Sequence, residues 1–393
     1  MTRSPTEMVY LDNAATSWPK PPSVLEAEAS FYREFGVAAG RSSGYRAMQV
    51  RRTIEQCRAE IGQLINAAAD DAIVFGFNGT DVLNIVIRGQ VRPGDQVVST
   101  VVEHNSVLRP LEWLRQRDRV SVRLVECDDE GRIDLDRLEQ VVTEQTRLVV
   151  ASQVSNVTGV IQPIEAVGRL CRDLGVPLLV DACQSVGHIP VDVQQLHCDW
   201  LAASGHKGLH GPLGTGVLYL KSGTGMAIDP LRLGGTGSDS ERLEPPDSLP
   251  DRFESGNPNS AGLFGLLAGV RSVRQRGIEA IGQHEQRLAR RLCEGLAEID
   301  SVRIACPDRT TATGIVSFSV DGFDPHELAM LLDSEYGIQV RAGLHCAPLM
   351  HRQLGTIGSG GTVRVSPGMD STEEQIDGLL DALTKLIAQA KTG

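Results

Sequence analysis

The stretch Val176–Leu220, VPLLVDACQSVGHIPVDVQQLHCDWLAASGHKGLHGPLGTGVLYL, decides the fold. Three short apolar runs, VPLLVDA, DWLAAS and GVLYL, are separated by polar, glycine-bearing connections. A run that is apolar along its whole length, rather than at every second residue, belongs to a strand covered on both faces. Upstream, AIVFGF, DQVVST, VSVRLVEC and RLVVASQV repeat the pattern, and amphipathic helical stretches separate most of them. This alternation predicts an α/β fold with a doubly wound, mostly parallel sheet. Ligands of such sheets lie outside the carboxyl ends of the strands. Asp181, which closes one run, and Ser204, His206 and Lys207, which follow the next, are therefore the first residues to weigh for chemistry.

The 393 residues are 41% apolar and 22% charged, the balance of a globular chain long enough for two domains. A formal charge of −12 argues against a nucleic-acid partner, which would need clustered Lys and Arg. No run approaches the roughly 18 apolar residues of a membrane span, and the N-terminus lacks a signal-peptide core, so a cytoplasmic location without membrane contact is expected. Eight cysteines without CxxC spacing suit reduced thiols, and no metal site is expected. A Gly-, Ser- and Pro-rich loop from about Leu233 to Ser260 is the clearest break. A long helical pattern, roughly Ala261 to Asp300, follows, and then GIVSFSV, GIQVRAG and TVRVSPG predict a smaller α+β unit. The expected division is an N-terminal segment, 1–20, packing with the small domain, a large ligand-binding domain, 21–260, and an interdomain helix with the small C-terminal domain, 261–393.

Other strand ends add candidates. Asn78-Gly79-Thr80 precedes a helix expected to begin near Asp81, where unpaired N–H groups, a glycine and a hydroxyl suit a phosphate. Simple capping by Thr80 explains the same residues. Neither GxxxxGK[ST] nor GxGxxG is present, so a P-loop and a dinucleotide fingerprint are both unsupported. Asp181 at the end of an apolar strand is costly without a cation or proton donor, although an ordinary cap or salt bridge would also satisfy it, and Gln184 follows about a turn later. Lys207 among small residues reads either as a desolvated nucleophilic amine or as a surface lysine. His104 and Asn156 close two further strands with a flat ring and an amide. As one set these residues fit pyridoxal 5'-phosphate, with phosphate at Thr80, aldehyde at Lys207, ring nitrogen at Asp181, phenolate oxygen at Asn156 and a ring face for His104. In VRAGLHCAPLMHR, Val340–Arg352, Cys346 sits in a polar, turn-prone loop five residues after Arg341. It reads either as a packed thiol or as a thiolate nucleophile.

From YLDNAAT to TVRVSPG, nearly the whole chain resembles the class V aminotransferase-like, fold-type I family of pyridoxal-phosphate enzymes. Within it the chain is similar to cysteine desulfurases with a short catalytic loop, close to selenocysteine lyases. LDNAATSWPKP, NGTDVLN, EHNSVLRPL, SNVTG, DACQ, SGHKGLHGPLGTG, LGGTGS, RFESGNPN and RAGLHCAPL carry the resemblance, in order. It implies a mostly parallel seven-stranded sheet with a smaller α+β domain. It further implies Lys207 as the Schiff-base lysine, Asp181 as the pyridinium partner, His104 as the stacking ring, and Asn156 and Gln184 near the phenolate oxygen. Gly79, Thr80, Ser204 and His206 would hold the phosphate, with Gly235 and Thr236 reaching the phosphate of the neighbouring subunit in a homodimer. Arg364 would grip the substrate carboxylate, with Arg341, Arg41 and Ala15 as further substrate contacts. The implied activity converts L-cysteine to L-alanine, leaving sulfur on Cys346 as a persulfide for an acceptor protein or thiol. Selenocysteine lyase and cysteine sulfinate desulfinase would use the same pocket, and a class V transaminase would leave Cys346 without a purpose. A metal-binding sulfur carrier built on His345, Cys346 and His351 lacks an evident fourth ligand.

Overall fold

A computed structural model describes residues 8–39, 44–238, 241–306, 308 and 312–392. The chain begins with β1 (Val9–Tyr10), α1 (Pro22–Ser30) and α2 (Tyr45–Leu64). The large sheet and its crossovers follow as β2 (Ala72–Gly76), α3 (Gly79–Gln90), β3 (Gln96–Thr100), α4 (Asn105–Asp118), β4 (Ser121–Val125), α5 (Leu135–Val141) and β5 (Thr146–Ser152). It is completed by α6 (Ile164–Leu174), β6 (Leu178–Asp181), α7 (Val193–Leu196), β7 (Trp200–Ser204) and β8 (Gly216–Leu220). All seven apolar runs are strands of this one sheet, in the order β2-β8-β7-β6-β5-β3-β4. Only β8 runs against its neighbours, because a short turn and not a crossover helix joins it to β7.

Alternation along each strand feeds two cores. Val98, Val149, Leu178, Val180 and Leu201 face one, while Val97, Val150, Leu179 and Ala202 face the other. That two-sided burial is why the runs read as continuous apolar stretches.

The remainder comprises α8 (Ser260–Arg276), α9 (Ile278–Ala297), β9 (Val302–Ile304), β10 (Val316–Val320), α10 (Pro325–Leu331), β11 (Ile338–Gln339), β12 (Arg341–Gly343), α11 (Pro348–Gln353), β13 (Thr362–Val365) and α12 (Glu373–Thr392). An antiparallel sheet, β12-β13-β10-β9, packs Phe318, Val363 and Val365 with Leu288 and Leu292 of α9 and Leu379 and Leu383 of α12. Leu11 joins this core, and β1 pairs with β11 in parallel. No described helix is long and apolar enough to cross a membrane.

Three expectations need correction. The helical pattern from Ala261 to Asp300 is two helices, broken where Gly277 takes φ 86° and ψ 124°, a conformation outside the helix that only glycine adopts readily. GIQVRAG is two strands in different sheets, since β11 pairs with β1 and β12 with β13. The helix after β2 begins at Gly79 rather than near Asp81, and Asn78, not Thr80, caps it by accepting the Asp81 N–H at 2.9 Å.

A buried ion pair ties α9 to the large sheet. His188 Nδ1 lies 2.9 Å from Glu285 Oε2, and both residues are buried. Burial acts to lower the His188 pKa, but the Glu285 carboxylate outweighs it and holds the imidazole above its ordinary value. Breaking such a pair strands one polar group in the interior. Glu285→Ala is expected to destabilise the fold by about 3–5 kcal/mol, measured by denaturant unfolding. A loss near that of an exposed salt bridge, roughly 0–1 kcal/mol, would contradict the buried-pair account.

Candidate active site

The carboxyl ends of β2, β3, β5, β6 and β7 open on a cavity of about 510 Å³. Asp181, Gln184, Ser204, His206, Lys207, Gly79, Thr80, His104, Asn156, Ala15, Arg341 and Arg364 all line it. Asp181 is the last residue of β6 and pairs in register with Ala202 of β7. The Cys183 N–H holds its Oδ1 at 2.9 Å. Two residues beyond the end of β7, the chain turns sharply through His206 and Lys207.

The Lys207 amine has no hydrogen-bond or ion-pair partner among the described residues. Burial pushes its pKa below the ordinary lysine value; Cys183 and Asp181 oppose the fall, and Arg364 and Arg341 add to it. The turn is clamped from the N-terminal segment. The His206 carbonyl accepts from Ser17 N at 3.0 Å, Thr16 Oγ1 at 3.1 Å and Lys20 Nζ at 2.9 Å.

One end of the cavity gathers a helix N-terminus, hydroxyls and an imidazole, groups that suit an anion. The backbone at Gly79 starts α3 so close to the sheet that a β-carbon there would strike Cys183 Sγ and Ser204 Oγ. Thr80 Oγ1 meets Ser106 Oγ at 2.7 Å, and the His206 Nδ1 atom is buried without a partner. His104 is the N-cap of α4: its Nδ1 accepts the Ser106 N–H at 3.0 Å, which leaves the ring proton on Nε2. Burial, helped by the Lys207 charge, lowers its pKa to about 4 despite the Asp181 carboxylate, so the ring is neutral at pH 7. Gln184 gives one amide hydrogen to the Ala14 carbonyl at 2.9 Å, while its Oε1 is buried without a partner.

The opposite wall is cationic. Arg341 and Arg364 stand directly across the β12–β13 ladder, a placement in which like charges repel. Arg364 is 1% exposed and held by Asp12 Oδ1 at 2.6 Å and the Asn156 carbonyl at 3.0 Å. Its Nε has no partner. A buried guanidinium with Nε and further N–H donors unspent suits a carboxylate ligand.

Cys346 stands beside this wall rather than in it. His345 and Cys346 both take left-handed backbone, φ 47° and 59°, which non-glycine residues rarely adopt and which functional turns often store. The turn is pinned: Asn156 Nδ2 donates to the His345 carbonyl at 2.7 Å, and Asn105 N donates to the Cys346 carbonyl at 2.7 Å. His345 Nε2 meets Thr362 Oγ1 at 3.0 Å. The thiol is half-buried, with Arg341 Nη2 3.7 Å from Sγ.

Two expected residues lie elsewhere, and a third falls outside the described residues. Thr236 lines a separate cavity with Arg51, Arg58 and Glu254, and the Gly235 carbonyl accepts from Gly256 N, so this loop does not reach the chain's own cavity. Arg41 lies outside the described residues. Sequence reasoning also missed participants. Asp12 is 352 positions from its arginine, and Ser106, in the first turn of α4, links His104 to Thr80. Glu103, the residue before His104, is fully buried and accepts from Thr100 Oγ1 at 2.6 Å and Ser152 Oγ at 2.7 Å; burial raises its pKa to about 7. Among the described residues no three His, Cys, Asp or Glu side chains gather to hold a metal.

This fold and site define a class. Residues 9–379 match the family described as Aminotransferase class-V, and the chain belongs to it. It is similar to probable cysteine desulfurases of Methanothermobacter thermautotrophicus, 37% identical over 96% of this chain and 94% of that protein, and of Pyrococcus abyssi, 37% identical over 98% and 96%. The apo structure of a cysteine desulfurase from Thermococcus onnurineus superposes with a TM-score of 0.89 at 34% identity, covering 99% of both chains.

The neutral histidines make stability depend on pH. Burial lowers His104, His206 and His351 to about 4, His210 to about 3 and His345 to about 2. Below the ordinary value of 6.5 the unfolded chain takes up protons that the folded chain refuses. Stability present above pH 6.5 is therefore lost toward pH 4, by up to about 1.4 kcal/mol per pH unit for each group. Unfolding midpoints measured across this window are expected to fall steeply; a flat profile would contradict the burial of neutral rings.

Proposed function

We propose that the chain is a pyridoxal-phosphate-dependent cysteine desulfurase. One observation carries the reading: a half-buried thiol, held in a strained turn with a guanidinium 3.7 Å from its sulfur, stands next to a cavity that pairs an unpartnered lysine with a buried aspartate. A transaminase would have no use for that thiol.

The cavity fits the cofactor. Gly79, Thr80, Ser204 and His206 would hold its phosphate, Asp181 its ring nitrogen, His104 its face, Gln184 and Asn156 its phenolate edge, and Lys207 its aldehyde. The unpartnered Gln184 Oε1 and His206 Nδ1 and the crowded backbone at Gly79 are what a site shaped around a polar guest contains. Bound there, the cofactor supplies an electron sink that stabilises negative charge at the substrate α-carbon.

The chain's own residues do the rest. Arg364 binds the α-carboxylate of L-cysteine through its free N–H donors, with Ala15 and Arg341 beside it. Lys207, its ammonium form disfavoured by burial, takes the α-proton as a neutral amine. Cys346 Sγ then attacks the substrate sulfur: an S–S bond forms, the Cβ–S bond breaks, and its electron pair stays with the carbon; protonation of Cβ and return of the α-proton from Lys207 give alanine. Arg341 donates to the attacking sulfur. The pinned turn fixes the approach, so Cys346 acts from a set position rather than on a long swinging loop.

A second copy of the chain completes the reading. The loop bearing Gly235 and Thr236 lies away from its own cavity and presents Leu233, 72% exposed, to solvent, which supports a homodimer in which that loop meets the other protomer's phosphate.

Cys346→Ser is expected to reduce alanine formation from cysteine to background while the yellow cofactor absorbance stays. Alanine formed at the wild-type rate would contradict the role given to Cys346.

A further inference from the structure

Next to the first cavity lies a second, of about 430 Å³, and Cys346 is part of its lining. The two share Thr80, His104 and Ser106, which form the partition between them. The outer wall comes from Asn84 and Arg88 of α3 and from Arg109 and Trp113 of α4. The Arg88 guanidinium lies 4.8 Å from the Trp113 ring centre and that of Arg117 lies 5.0 Å from it, yet the indole remains 41% exposed.

Neither Arg88 nor Arg109 has an ion-pair or hydrogen-bond partner among the described residues. The chain has 50 acidic residues against 38 basic ones, and none of the described carboxylates pairs with these two arginines. Unpaired arginines around one opening concentrate positive potential there, and that potential favours an anion. Arg341, 3.7 Å from the Cys346 sulfur, extends the same field to the thiol. A concave space of this size falls within the range of small-ligand pockets, about 300–1,000 Å³.

We propose that this second cavity is the exit site for sulfur, and that it receives a small thiol bearing carboxylates, bound by Arg88 and Arg109 against Trp113. The proposal rests on the reading of Cys346 as the persulfide carrier. The acceptor thiol loses its proton to solvent, and its thiolate attacks the outer sulfur of the persulfide. A new S–S bond forms on the acceptor, the bond to Sγ breaks, and Cys346 leaves as a thiolate. No oxidant or reductant is consumed. Substrate thus enters on the Arg364 side of the partition and sulfur leaves on the Arg88 side.

The test loads the holoenzyme with cysteine and measures Cys346 for one added sulfur atom by intact and peptide mass. Discharge is then timed with mercaptosuccinate, 2-mercaptoethanol and cysteamine, each rate corrected for thiolate content. Mercaptosuccinate is expected to discharge the sulfur about tenfold faster than 2-mercaptoethanol, the worth of one charge-assisted contact, and cysteamine more slowly than either. Arg88→Gln with Arg109→Gln is expected to erase this ranking and leave the 2-mercaptoethanol rate unchanged. Equal corrected rates in the wild type, or a preference that survives both substitutions, would overturn the exit site while leaving the persulfide reading intact. Absence of the added sulfur on Cys346 would overturn the persulfide reading and the exit site with it.

Discussion

The site depends on the parallel register of β6 against β7. That ladder sets Asp181 opposite Ala202 and so fixes where the chain turns toward Lys207. Were β7 to slip by one residue, the strand's side chains would exchange faces and the turn would leave the cavity. The register is strongly specified because both faces are buried: Leu179 and Ala202 pack on one side, Val180 and Leu201 on the other. Packing of aliphatic side chains thus places a carboxylate and an amine on one wall without either serving to neutralise the other.

Charge is distributed across the cavity with little compensation. Arg341 and Arg364 face each other across a ladder, with Asp12 as the carboxylate paired to Arg364. Neutral histidines surround this arrangement, since an imidazolium beside two guanidiniums and a lysine would add to the repulsion. The left-handed turn at His345 and Cys346 belongs to the same logic: three hydrogen bonds hold a backbone that the residues themselves disfavour, and the thiol stays half-buried at the border of two cavities.

Much of this was legible in the chain. Most of the strands could be read because two-sided burial writes itself as apolar runs, the edge strand β4 with its exposed Arg123 and Leu124 being the exception, and several residues that follow those runs line the cavity. What could not be read has local or distant causes. The Gly277 break was hidden because one glycine in a helical pattern looks tolerable until its ψ is known. The cap at Asn78 rather than Thr80 rests on backbone angles, which two capping residues on either side of Gly79 do not reveal in sequence. β9 has three residues, half-buried or exposed, and leaves almost no apolar signal. The partnership of Asp12 with Arg364 spans 352 positions and follows from packing of the N-terminal segment against the smaller sheet, which no local pattern encodes.

On the proposed reading Lys207 carries the cofactor. Lys20 is the natural competitor, because burial lowers its pKa to about 8 and it contacts the same turn through the His206 carbonyl. Borohydride reduction of the holoenzyme, followed by proteolysis and mass mapping of the pyridoxyl label, separates the two. The label is expected on Lys207 alone; a label on Lys20, or on any lysine outside the Asp181 cavity, would contradict the account.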